Sequence, residues 1–271
     1  MKFPRAIAPR AVTAAFTMIE IAICLAIIGF ALVAIIGVLP LGMNTQRDNR
    51  EETIINQDAT VLLEAIRSAA RGADDLTNSV FAITNYVTGY NSNGVVSIPT
   101  WIAGYTYTAA SYNGSANSYY ITNAYRIIGL LSTPEYTDGF GGRAMDSIFG
   151  KDYTSNHVVA YVRAISGLAA EKPPQDNQIM REDTLTYRLF CVNAPMPVDT
   201  NSFNNSPFAR QMAANQRELR LSFLWPVLPN GKIGNGRQTF RATIAGQLTT
   251  TNNSGQTLYF YQSQSFRTNT P

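Results

Sequence analysis

Three kinds of residue are scarce in this 271-residue chain, and each scarcity narrows what it can do. Histidine occurs once, at His157. With no cysteine or second histidine near it, His157 argues against a His/Cys zinc site. Any Ser–His triad would rest wholly on it, and no G-x-S-x-G elbow accompanies the many serines, so His157 reads as a surface or packing residue. Cysteine occurs twice, and Cys24 lies in an apolar run while Cys191 lies in an expected strand. The two belong to different compartments, so a disulfide within one chain is not expected; Cys191 reads as a small buried hydrophobe. Charged side chains make up only 14% of the chain. Lys2, Arg5 and Arg10 precede Ala15 and no acid does, so 18 basic and 18 acidic side chains remain beyond it. The formal net charge of +3 therefore belongs to the first residues. No basic excess is left for a nucleic-acid partner.

Other chemistry is equally thin. Gly139, Gly141 and Gly142 lack the Lys-Ser/Thr pair and following helix of a phosphate loop and read as a turn. Asp74 and Asp75 are adjacent, and Asp146 and Asp152 flank Ile-Phe-Gly, but no calcium-ligand pattern emerges from them. We assign no catalytic residue, no metal ligand and no cofactor from the sequence.

What the chain does have is one long apolar run. Residues 21–42, IAICLAIIGFALVAIIGVLPLG, carry no charge over 22 positions. At about 1.5 Å per residue they reach ~33 Å, enough for a bilayer core of about 30 Å. The basic residues before the run place the N-terminus in the cytoplasm and the rest of the chain on the opposite side. A secretory signal has its apolar region before the cleavage site. Here the small residues Ala14 and Ala15 come before it, so cleavage there leaves the apolar helix on the mature chain, starting at Phe16.

The stretch AFTMIEIAICLAIIGFALVAIIG resembles the leader-and-helix motif of type IV pilins and type II secretion pseudopilins. That pattern is a small residue, usually Gly, then Phe-Thr-apolar-apolar-Glu and about twenty apolar residues. Ala15, Phe16, Thr17, Met18, Ile19 and Glu20 take those places, with Ala15 as the departure, and the likeness covers the first 45 residues or so. The resemblance implies cleavage between Ala15 and Phe16 by a membrane-embedded prepilin peptidase. It implies N-methylation of Phe16 and entry of the mature chain into a helical filament. The implied partners are other pilin or pseudopilin subunits, the inner-membrane assembly platform and membrane lipid.

Glu20 is the anomaly of the run. A carboxylate in hydrocarbon costs several kcal/mol, about 2.5–3.5 for Asp on insertion scales. Cleavage would give Phe16 an α-amine one helical turn away. Glu20 could balance its own amine and the helix dipole, or the Phe16 amine of a neighbouring subunit, which would set axial register. Both pairings stay open. Gly29, Gly37 and Pro40 interrupt the run; Pro40 is expected to kink or loosen the helix, although membrane helices also simply tolerate such residues.

Beyond the run, Ile55, Ala59, Leu62, Ile66 and Ala69 fall at helical spacing, so residues 44–72 read as an amphipathic helix with Gly72 as its stop. After Gly72 the period becomes two. Strand-like runs occupy 79–88, 95–108, 119–131, 157–166, 184–193, 217–226, 237–247 and 257–266. The clearest alternation is Leu219, Leu221, Phe223 and Trp225, and the Pro229–Gly236 stretch has the chemistry of a turn between antiparallel strands. The expected fold is α+β: a long N-terminal helix, membrane-spanning in its first half, packed on a mainly antiparallel sheet. The expected organisation is a leader over 1–15, a membrane and filament helix over 16–43, its amphipathic continuation over 44–72 and a periplasmic or extracellular head over 73–271. Tyr105, Tyr107, Tyr112, Tyr119 and Tyr120 read as sheet packing or as an interface.

The expected function is that of a minor pilin or pseudopilin, a structural subunit rather than an enzyme. It would be held in the inner membrane by one span and then pass into a filament or reach the cell surface. The alternative is a single-span anchored surface domain, either a glycan-binding adhesin or an enzyme, which leaves the AFTMIE arrangement unexplained. A DNA-uptake pilin is disfavoured by the neutral mature charge.

Overall fold

The computed structural model describes residues 16–69, 76–106, 118–121, 123–137, 152–166, 185–196, 206–253, 256–262 and 265–266. The apolar run and the amphipathic segment form one helix, α1 (Met18–Arg67), that stays helical on both sides of Pro40. The chain divides into two compact units between Glu51 and Glu52.

In the first unit every described large apolar side chain from Phe16 to Leu39 is exposed, Ile21 at 51% being the least so. The helix is long and apolar enough to cross a membrane.

In the second unit the stripe foreseen in the sequence is the core face of α1. Ile55, Ala59, Leu62 and Ile66 are buried in the main apolar cluster. The helix ends at Arg67, earlier than Gly72, and Ala69 takes a left-handed backbone at φ 56°. A short helix, α2 (Leu76–Ser79), leads into the sheet. The strands are β1 (Val80–Tyr90), β2 (Val96–Thr106), β3 (Ser118–Tyr120), β4 (Tyr136–Thr137), β5 (Tyr153–Arg163), β6 (Thr186–Pro195), β7 (Gln216–Val227) and β8 (Ile233–Ala245). Among the described residues they form one sheet in the order β3-β2-β1-β5-β6-β7-β8, with β4 paired to β5. All these pairings are antiparallel except β2 with β3.

The alternation read in β7 sets the inner face, where Leu219, Leu221, Phe223 and Trp225 are buried. The β7–β8 turn is built as its residues dictate. Gly231 has φ +78°, and Asn230 Oδ1 accepts the Lys232 N–H at 2.9 Å. Glycine is needed there because an L side chain disfavours that backbone.

Besides the earlier end of α1 and the short α2, three parts of the fold differ from the sequence expectation. The run 119–131 is not one strand: β3 stops at Tyr120, and α3 (Ala124–Leu131) follows. Asn123 caps α3 by accepting the Arg126 N–H, and burial of Ile127, Ile128, Leu130 and Leu131 follows a helical face. Short apolar runs do not separate the two periods. The Asn- and Pro-rich stretch before residue 207 leads into a second unforeseen helix, α4 (Pro207–Asn215), with Ser206 as cap and Pro207 in its first turn. The chain then adds a separate two-stranded sheet, β9 (Gln247–Asn253) and β10 (Gln256–Gln262). Against it α3 packs so closely that a Cβ on Gly129 would lie 2.7 Å from Phe260 Cζ.

Candidate functional site

The start of α1 is where the sequence concentrates its signals, and the structure gives Glu20 a local partner. Thr17 lies just before the helix, and its carbonyl accepts the Ile21 N–H at 3.2 Å. Its hydroxyl oxygen is 3.4 Å from the Glu20 N–H, while Glu20 Oε2 accepts the Thr17 N–H at 2.9 Å and the Thr17 hydroxyl at 2.9 Å. This is a reciprocal capping box, which satisfies helix N–H groups that otherwise lack partners. The pattern Thr17-Met-Ile-Glu20 carries that signal in the sequence, beside the charge and dipole pairings expected of Glu20. In the unprocessed chain the Phe16 nitrogen is a peptide nitrogen, so an ion pair to it requires cleavage. Ala15 lies outside the described residues.

Around this capped start the helix offers only apolar surface. Fully burying one such side chain is worth about 1.5–3 kcal/mol, so the Phe16–Leu39 surface requires a cover of lipid or protein. Gly29, Gly37 and Gly42 have nothing within 4 Å of where a Cβ would sit. No close approach within the described chain therefore demands glycine at these positions.

The second unit holds a carboxylate of a different kind. Asp58 shares the apolar stripe of α1, three residues after Ile55 and four before Leu62, and is 0% exposed. It accepts the Ile165 N–H at 2.9 Å, the Ser166 N–H at 2.8 Å and the Tyr187 hydroxyl at 3.0 Å. Burial, and then the Asp58 carboxylate, push the Tyr187 phenol well above its ordinary range. An acid inside an apolar stripe was legible as an oddity in the sequence. Its donors, more than a hundred residues away, were not.

A second polar knot ties the far end of the core. Asn193 donates to the Ser132 carbonyl at 2.6 Å and accepts the Tyr261 hydroxyl at 2.6 Å. Beside it the Cys191 thiol donates to the Leu131 carbonyl at 3.0 Å, and burial raises its pKa. Both cysteines are free: Cys191 is buried and Cys24 is exposed on α1.

The remaining candidates are placed as follows. His157 stacks on Tyr86 with ring centroids 5.0 Å apart and planes within 5°. Partial burial and the Arg188 guanidinium hold its imidazole below the usual range. Asp152 accepts the Ser92 N–H at 2.9 Å in a loop contact. Asp74, Asp75, Asp146 and the glycines at 139, 141 and 142 lie outside the described residues. Among the described residues no three His, Cys, Asp or Glu groups converge to hold a metal. Tyr105 pairs in parallel with Tyr119 through the backbone, whereas Tyr107 and Tyr112 lie outside the described residues.

No protein family, curated protein or solved structure matches this chain. Its functional reading rests on its own residues.

Proposed function

We propose that the protein is a minor pilin or pseudopilin, a structural subunit that enters a type IV pilus-like filament or a secretion pseudopilus after removal of residues 1–15. The observation that carries this reading is the start of α1. A helix whose described large apolar side chains are all exposed from Phe16 to Leu39 begins on a single carboxylate, and Lys2, Arg5 and Arg10 precede that carboxylate with no acid among them. Capping alone would serve a plain membrane anchor as well. A subunit that moves from lipid into a helical bundle gives the same acid a second use, because it can meet an ammonium group once cleavage creates it.

The capping box gives Glu20 a role before that moment. One carboxylate can accept several hydrogen bonds, so Oε2 can hold Thr17 while the other oxygen takes a cation. A charge pair formed in such a dry bundle is far stronger than one at a surface.

Two measurements test the proposal. Mass spectrometry of the protein purified from its native membrane should find a chain beginning at Phe16, methylated on its amine. Glu20→Gln should leave that cleavage intact and lower incorporation into filaments severalfold, with Thr17→Val as the control for lost capping alone. A chain that retains its first fifteen residues, or a Glu20→Gln subunit that assembles as well as the parent, defeats the reading.

A further inference from the structure

The sheet has a second face. α1, α3 and β10 supply the core cluster on the inner face, and no described helix covers the outer one. The strand registers align its side chains in rows running across β1, β5, β6, β7 and β8. One row is Tyr86, His157, Val192, Arg220 and Arg241. Two residues along lie Thr84, Val159, Phe190, Ser222 and Thr239, and two further lie Ala82, Tyr161, Arg188, Leu224 and Arg237.

The outer two rows run in the same sense, with aromatic rings on β1 and β5 and guanidinium groups on β7 and β8 in the first, and a ring on β5 and guanidinium groups on β6 and β8 in the second. The ring end is ordered by the His157–Tyr86 stack and by a Phe81–Tyr161 contact at 6.0 Å. Arg188 lies over the Phe190 ring at 4.5 Å and, less closely, over the Tyr161 ring at 5.8 Å, so a sugar on Tyr161 would share that ring with a guanidinium. The cationic end is open to solvent, the Arg241 side chain being 69% exposed. The middle row supplies hydroxyls, with Ser222 and Thr239 hydrogen-bonded at 2.8 Å.

Charge is unbalanced on this face. Arg163, Arg188, Arg220, Arg237 and Arg241 are its described cations. Glu218 is hydrogen-bonded by Arg220 through two nitrogens, at 3.0 and 3.1 Å, and lies 3.8 Å from Arg241. Glu135 is the other acid acting on Arg220. Five strands at about 4.8 Å spacing give a face ~19 Å wide. Arg237 and Arg241, four residues apart, are separated by ~13 Å along the strand.

We propose that this outer face binds a carboxylate-bearing polysaccharide, with sugar faces on the Tyr86–His157 and Tyr161 rings and uronate carboxylates on Arg237 and Arg241. Rings beside hydroxyls suit the apolar faces and hydroxyl edges of sugars, and guanidinium forks suit carboxylates. The wide arginine spacing matches charges separated by neutral stretches. A nucleic-acid strand carries a phosphate at every residue and calls for a denser run of cations. The inference stands whether or not the chain enters a filament.

The test uses the full chain in detergent micelles, with hyaluronate, whose uronates alternate with neutral sugars, as probe and neutral dextran and an oligothymidylate as comparators. Hyaluronate should bind, dextran should not, and added salt should weaken binding. Arg237→Gln with Arg241→Gln should weaken it about tenfold, since two exposed ion pairs are lost. Tyr86→Ala with His157→Ala should weaken it while leaving the salt dependence unchanged. The arginine pair is solvent-facing, so its melting temperature should stay at the parent value. Absence of hyaluronate binding, equal binding of dextran, tighter binding of the oligothymidylate, or affinity unchanged in the arginine variant overturns the proposal.

Discussion

Replacing Asp58 by alanine should be among the most damaging single changes in the second unit. The carboxylate is fully buried and accepts three hydrogen bonds, two from consecutive backbone N–H groups after β5 and one from a buried phenol. A hydrogen bond to a charged group is worth about 1.5–3 kcal/mol net, and a buried donor left unpaired costs about 1–3 kcal/mol. Ile165 and Ser166 are half-buried, so water can replace part of what they lose, whereas Tyr187 is fully enclosed. The expected total is therefore about 3–5 kcal/mol. Asparagine should be no better than alanine, because its NH2 must face one of the two backbone N–H groups whichever way the amide turns. Tyr187→Phe removes one bond to the carboxylate and should cost about 1.5–3 kcal/mol. Urea unfolding of the full chain in micelles, followed by the fluorescence of buried Trp225, measures all three. If Asp58→Ala lies within about 1 kcal/mol of the parent, the carboxylate is not the clamp that its hydrogen bonds describe.

Alkaline pH should expose the buried acids of the core. Burial raises Cys191, Tyr187 and Tyr261 in the folded chain. Their stabilisation is complete below the unfolded pKa, about 8.5 for the thiol and about 10 for the phenols, and declines as pH rises beyond it by about 1.4 kcal/mol per unit per group. Cys191→Ala should flatten the decline between about pH 9 and 10, and an unchanged slope in urea titrations counts against a buried thiol. Gly129→Ala should lower stability by about 1–2 kcal/mol, since overpacking against Phe260 and Leu258 exceeds the gain in helix propensity; a thermal melt decides it. Gly37→Leu should leave the isolated chain unaffected, because its surroundings are open, and should impair only assembly. A filament yield equal to the parent's removes Gly37 from any packed interface.

The large periodicities were legible in the sequence. Ile55, Ala59, Leu62 and Ile66 marked the buried face of α1, and the alternation from Leu219 to Trp225 marked the inner face of β7. Strong local turn chemistry at Asn230-Gly231 was also enough. Where the sequence misled, two local codes overlapped. The run from Ala124 to Leu131 is apolar at both periods, and only the Asn123 cap and its packing on β10 separate helix from strand. Ser206-Pro207 was a helix start hidden in a stretch rich in turn residues. At the candidate site, Glu20 stood out because a charge in an apolar run is conspicuous. Its capping partner, Thr17, is one turn away, and Thr-x-x-Glu is a short pattern that the conspicuous charge overshadows. The outer-face rows were beyond reach, since they exist only once strand order and register bring five separate segments together.

The span of the Asp58 contacts also bears on the order in which the second unit can form. The donors lie 107, 108 and 129 residues downstream. Contacts so distant in the chain close late, because loop entropy is spent before they form. Until the Ile165–Ser166 segment and Tyr187 have reached α1, its inner turns present an unanswered acid amid an apolar stripe. A chain cut short before β6 would keep two of the three Asp58 donors and lose the one that is fully enclosed.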